Sequence, residues 1–285
     1  SERIRRVSRE GRGVIPSESP KASVTDTTGE DYYGKEKELI LLAMAVCSTA
    51  TCGKTPGEYV GESPDEVALA KAQGELDVIP AEAAIEISKK AYVENVDVAE
   101  IGKGISATAH PIVPAIRALE QICEDGAGEY IHYGATTKDI MDTGLVLQIK
   151  KSWPIILRDL LGIQGALINL AKQHRSTPMV GRTHGQQALP LTFGYKCAVW
   201  VDEISRQLAR FREAEPRVLS GDITGAVGTM AAFGSQGREI QKLALNYLDL
   251  AVPNICWHSS RDRICELANL LTQISGSLGK IAREI

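Results

Sequence analysis

The chain has 285 residues, a formal net charge of −4 and a pI near 5.8, with Lys and Arg interleaved among Asp and Glu. The missing basic stripe argues against a nucleic-acid surface and for a small-molecule partner. Six cysteines are too dilute for a disulfide scaffold and point to a reducing, cytoplasmic compartment, while 5% aromatic content and abundant Ala, Leu and Ile favour helix over sheet.

Residues 1–36 are polar, with Gly, Pro and Ser scattered through them, and read as a flexible or loosely attached leader. No signal peptide opens the chain, so its start reads as processed or trimmed. An N-terminal helical domain is predicted over 37–141 and a central helical-bundle domain over 142–285. The apolar run Leu39 to Cys47 is far short of the about 20 residues a membrane span needs, so it reads as a core helix or strand and no membrane is expected. At SPDE, Ser63 is a predicted N-cap, Pro64 the first helical residue and Glu66 the far end of a capping box. A second short helix opens at Pro80, and Asn95 to Gly104 leads into a third beginning near Pro111.

From Asp142 to His174 only Pro154 argues for a break. The stretch LLGIQGALINLA, Leu160 to Ala171, carries no charge and has apolar residues on nearly every face. A helix apolar all round must be covered all round, which predicts a bundle whose central helices are also buried by neighbouring subunits. Further helices are predicted near 191–214, 236–249 and 262–285, with the glycine-rich GDITGAVGTMAAFG as a loop between the first two. No strand-turn-helix alternation or internal repeat suggests a Rossmann or barrel enzyme. SPDE followed by ALAKA resembles a segment of P-type ATPase nucleotide domains, but a capping box explains it. ATCGKT lacks a glycine needed for a P-loop, and Cys256, His258 and Cys265 lack zinc-site spacing, so no metal is expected.

Four polar segments interrupt the helical background: SATAHPIVP around His110, YIHYGATTKDIMDTG from Tyr130 to Gly144, GRTHGQQ from Gly181 to Gln187, and WHSSRDR from Trp257 to Arg263. Each is predicted at or near a helix end, where a bundle can gather distant segments into one site. In GRTHGQQ a histidine sits among hydroxyl and amide side chains. Such neighbours can fix its tautomer and let it exchange a proton near neutral pH.

Together YIHYGATTKDIMDTGLVLQ, TPMVGRTHGQQALPLTFGYK, GAVGTMAAFG and WHSSRDR with SGSLGKIAREI resemble the fumarase/aspartase superfamily, on the branch holding adenylosuccinate lyase and 3-carboxy-cis,cis-muconate cycloisomerase. The likeness covers roughly Asp65 to Ile285. It implies an all-α homotetramer with a central helical bundle, sites assembled from three subunits, no cofactor, and β-elimination of a C–N or C–O bond releasing fumarate. By resemblance Thr183 and His184 belong to the segment of the catalytic acid, and Gln186 orients substrate. Thr136 and Thr137 match a hydroxyl pair that grips a substrate carboxylate, with Asp139 fixing the turn. Arg261 and Asp262 match an Arg-Asp pair that either shapes the site or touches substrate. His110 is expected to bind substrate, although adenylosuccinate lyases usually have aspartate where Pro111 follows. His132 is expected to pack rather than react.

His184 moves the resemblance toward a lyase like adenylosuccinate lyase of purine biosynthesis, because bacterial muconate cycloisomerases commonly lack that histidine. The cycloisomerase is the alternative. The family's mobile serine-rich loop bearing the base is absent from these 285 residues. A catalytically incomplete homologue or fragment is therefore a further alternative, and residues 1–285 alone are expected to turn over poorly.

Overall fold

A computed structural model describes residues 64–284. The predicted leader, the run Leu39 to Cys47 and the Ser63 cap lie outside the described residues. Within them the order is α1 (Pro64–Glu75), α2 (Ala81–Lys90), α3 (Val98–Thr108), α4 (Val113–Ile122), α5 (Thr137–Gln173), a hairpin of β1 (Pro178–Thr183) and β2 (Gln186–Thr192), α6 (Phe193–Val218), α7 (Gly237–Tyr247) and α8 (Asp262–Glu284). Short 3-10 turns at Val93–Asn95, Ala127–Tyr130 and Ala231–Gln236 fill the connections. The fold is predominantly helical, in keeping with the all-α, fumarase/aspartase-like expectation.

The long helices pack because their apolar residues fall on one stripe. On α5 the buried set is Val146, Ile149, Trp153, Leu160 and Leu167; on α6 it is Cys197, Trp200, Ile204, Leu208, Phe211, Ala214 and Val218. Steps of three, four and seven residues keep each set on one side of its helix. Trp153 stacks on Phe211 with ring centroids 3.8 Å apart and planes 19° from parallel. Leu270, Ile274 and Ile281 of α8 close the same core, and the buried amide of Gln207 donates to Ser277 across the α6–α8 contact at 3.2 Å. A second cluster joins α1, α2 and α4 through Val67, Ala70, Ala84, Ile87 and Leu119. There Gly74 lets α1 approach α2, since a Cβ at that position would lie 2.7 Å from the Cβ of Ala84.

α5 begins at Thr137, five residues before the expected start of the central bundle, and runs unbroken through Pro154 for 37 residues. At 1.5 Å per residue it is about 55 Å long. By length and composition it could cross a membrane, a test that the core helix of a soluble bundle also passes. Its Leu160 to Ala171 stretch buries Leu160 and Leu167 but leaves Leu161 40% exposed; Ile155 on α5, Val199 on α6 and Leu271 on α8 are likewise exposed.

Two local expectations fail. The stretch from Asn95 to Gly104, read as a lead-in, is mostly helix α3, capped by the Asp97 carboxylate accepting from the backbone of Ala99 and Glu100. GRTHGQQ is no helix start but the turn of a β-hairpin, in which Thr183 pairs with Gln186. His184 and Gly185 both take left-handed backbone, with φ of 51° and 73°, the geometry of a tight two-residue hairpin turn.

Candidate active site

The N-terminus of α5 is built around one carboxylate. Asp139, fully buried, is the third residue of the helix, and its Oδ2 reaches back to accept the backbone N–H of Thr136 at 3.0 Å. The same oxygen accepts from the backbone of Gly225 at 2.9 Å, while Oδ1 accepts from the backbone of Thr224 at 2.9 Å and meets His258 Nε2 at 2.8 Å. One side chain thus ties the helix start to the glycine-rich loop and to the turn after Trp257. Asp222 of that loop, also fully buried, accepts from the backbone of Trp257 at 2.8 Å and from the Thr224 hydroxyl at 3.1 Å. Burial pushes its carboxyl pKa up, against the Trp257 N–H, the His258 charge and the Thr224 hydroxyl; neighbouring Asp139 pushes the same way as burial.

Above this base the helix presents Thr136 and Thr137. His110 Nε2 lies 3.3 Å from the Thr137 hydroxyl oxygen, and its Nδ1 accepts from the backbone N–H groups of Ile112 and Val113. Two donors aimed at Nδ1 leave the ring proton on Nε2, directed at Thr137. The histidine therefore caps α4 and faces the hydroxyl pair at once.

Arg261 grips Asp142, one turn further along α5, with both guanidinium nitrogens at 2.8 and 3.0 Å, and lies over the Trp257 ring at 5.3 Å. Lys138 meets the same carboxylate at 3.1 Å. The partner of Arg261 is thus Asp142 and not the adjacent Asp262, which opens α8. His132 does more than pack. Its Nδ1 is 2.8 Å from Glu66 Oε1, so the Glu66 carboxylate read as a capping-box member is engaged with the turn that leads into α5. Burial would lower the His132 pKa, but the hydrogen bond and charge of Glu66, helped by Asp139 and Asp65, outweigh it and raise the pKa.

The structure brings together His110, Thr136, Thr137 and Asp139, with Arg261 beside them through Asp142. It does not bring in the hairpin residues: Thr183, His184 and Gln186 are exposed, and among the described residues no hydrogen bond or ion pair joins them to the α5 start. The hairpin follows the far end of α5, about 55 Å along the helix from Thr137. Asp222 and Thr224 escaped functional notice in the sequence, and His258 is weighed there only as part of WHSSRDR and as a zinc ligand. The available signal was an acid set among small residues in GDITGAVG and a histidine next to a buried tryptophan.

A family model described as Lyase matches residues 56–285. The chain belongs to the fumarase/aspartase superfamily of lyases. It is 50% identical over 219 residues to N-acetyl-S-(2-succino)cysteine lyase of Enterococcus italicus, covering 77% of this chain and 48% of the relative. It is 46% identical over 217 residues to adenylosuccinate lyase of Methanocaldococcus jannaschii, covering 76% and 47%. Among solved structures, 3-carboxy-cis,cis-muconate lactonizing enzyme of Pseudomonas putida superposes with a TM-score of 0.75 at 35% identity, covering 78% of this chain and 51% of that one. The chain spans about half the length of the curated relatives it matches.

Proposed function

We propose that this superfamily member acts as a lyase on a succinylated thiol, an S-(2-succino)cysteine derivative, and expels fumarate by β-elimination. The carrying observation is the start of α5, where Thr136, Thr137 and the Nε2 proton of His110 converge at the positive end of a 37-residue helix. Hydroxyl donors at the positive end of a helix suit a carboxylate. Elimination removes a weakly acidic proton beside that carboxylate, and donors that strengthen as it becomes an aci-carboxylate lower the barrier. Two curated relatives, 50% and 48% identical, are named N-acetyl-S-(2-succino)cysteine lyase, which supports sulfur as the leaving atom. The adenylosuccinate reading, with nitrogen leaving in purine biosynthesis, is the second, supported by relatives of that name at up to 46% identity.

His184 is assigned as the proton donor to the leaving group or its electrostatic partner, with Thr183 and Gln186 holding substrate. A site using both His184 and Thr137 needs ends of α5 that lie about 55 Å apart, so it has to be completed by other copies of the chain. That requirement and the apolar residues left exposed on α5, α6 and α8 support a homotetramer. The free thiols of Cys123, Cys197, Cys256 and Cys265 accord with a reducing cytoplasm.

The test gives the complete gene product N-acetyl-S-(2-succino)cysteine and adenylosuccinate in parallel. Fumarate is followed by absorbance and liberated thiol by a thiol reagent. We expect equal amounts of fumarate and thiol from the first substrate, and kcat/KM at least about 10²-fold above that for the second, a floor below the about 10⁴-fold that unpaired polar groups in a pocket can impose. In His184→Asn, turnover should fall by about 10² or more with the fold retained. Preference for adenylosuccinate would install the second reading, and fumarate from neither substrate would overturn both.

A further inference from the structure

Below the carboxylate cradle, Asp222, Cys256 and His258 converge from the glycine-rich loop and the turn before α8. Asp222 Oδ2 is 3.7 Å from His258 Nε2 and 3.8 Å from Cys256 Sγ, and the three donor atoms lie within 4.8 Å of one another. We propose that these three side chains bind a borderline-soft divalent cation, Zn2+ being the best match, and that its binding loosens the carboxylate cradle.

The donor set is one thiolate, one imidazole and one carboxylate, the mixture Zn2+ prefers. Bond lengths of roughly 2.0 Å to N and O and 2.3 Å to S would set tetrahedral donors about 3.3–3.6 Å apart. The two distances to Asp222 exceed that by only a few tenths of an ångström, and the third, bounded by 4.8 Å, closes by side-chain rotation of Cys256 and His258. Asp222 is fully buried, while Cys256 and His258 are partly buried, which removes part of the water that would compete with protein ligands. The sequence hid this site, and led to the expectation of no metal, because its third donor lies more than thirty residues upstream of Cys256, while Cys265, weighed with Cys256 and His258 and lacking a zinc spacing, is exposed and takes no part.

Coordination must release protons. The Cys256 thiol, which now points at Asp222 Oδ2, loses its proton to solvent, and any proton His258 Nε2 shares with Asp139 leaves as well. Apparent affinity should therefore rise with pH. Turning Nε2 toward the cation withdraws His258 from Asp139, the residue that holds the backbone of Thr136, Thr224 and Gly225. Occupancy then acts on the cradle through Asp139, without the cation touching substrate.

The test titrates the complete gene product with Co2+, a spectroscopic stand-in for Zn2+. We expect one equivalent per chain, a thiolate-to-cobalt charge-transfer band, and visible bands of tetrahedral intensity. In Cys256→Ser the charge-transfer band should vanish, while circular dichroism and melting without metal match the parent. Zn2+ measured against a chromophoric chelator should bind at least about tenfold more weakly to Cys256→Ser and to Asp222→Asn, the usual size of a lost ligand-shell contact. Absence of stoichiometric Co2+ binding, or a charge-transfer band that survives in Cys256→Ser, would overturn the proposal.

Discussion

His132 holds left-handed backbone, with φ of 60°, at the turn feeding α5, and Glu66 anchors it from α1. Because its pKa in the folded protein is raised above the unfolded value near about 6.5, the pair stabilises fully below that value. The contribution is lost as pH rises through the folded value. Glu66→Gln should therefore destabilise by about 1.5–3 kcal/mol at about pH 6, the range for a hydrogen bond to a charged group, and by clearly less at about pH 9. Urea unfolding at the two pH values checks this, and equal losses at both would refute it. At this scale the sequence exposes what is local. Thr136, Thr137 and Asp139 sit within one turn of helix and could be read together. Asp222 and His258 reach Asp139 only through the folded chain, the latter across 119 residues, and no pattern within a short window encodes such a pairing.

Among elements, the long helices were the most legible, because the stripe from Val146 to Leu167 and that from Cys197 to Val218 repeat over many turns. The hairpin was not. Its strands are short and mostly exposed on both faces, so no apolar alternation marks them, and Pro190 stands opposite Val180 where sequence reading takes proline for a break. The remaining clue was the His-Gly pair itself. Gly185→Ala tests that turn: nothing lies within 4 Å of an added Cβ, so the loss comes from the left-handed backbone alone. It should amount to about 1 kcal/mol, read as a lower melting temperature. A neutral or stabilising effect would contradict the turn geometry. Asparagine tolerates the same backbone region, which makes His184→Asn a probe of chemistry and not of folding.

For the whole molecule, the apolar side chains exposed on α5, α6 and α8 lose about 25 cal/mol for each Å² left in water. The proposed tetramer predicts that light scattering at micromolar concentration gives four times the mass of one chain, and a stable monomer would refute it. The uncharged run Leu160 to Ala171 leads to the same expectation from the sequence, since a face too apolar for solvent is visible without coordinates. What covers it is not encoded in any one helix.

The junction at Asp139 also bears on how the molecule is made. Its carboxylate joins segments 85, 86 and 119 residues apart, whereas α5 and α6 are neighbours across a short hairpin. Contacts between near neighbours close small loops and form early, while those spanning long stretches wait for loop-closure entropy to be overcome. The α5–α6 pair therefore assembles before the carboxylate cradle, and during synthesis the cradle must wait for His258 to leave the ribosome. A nascent chain interrupted before that point has α5, α6 and their hairpin but neither α8 nor the clasp that organises the start of α5.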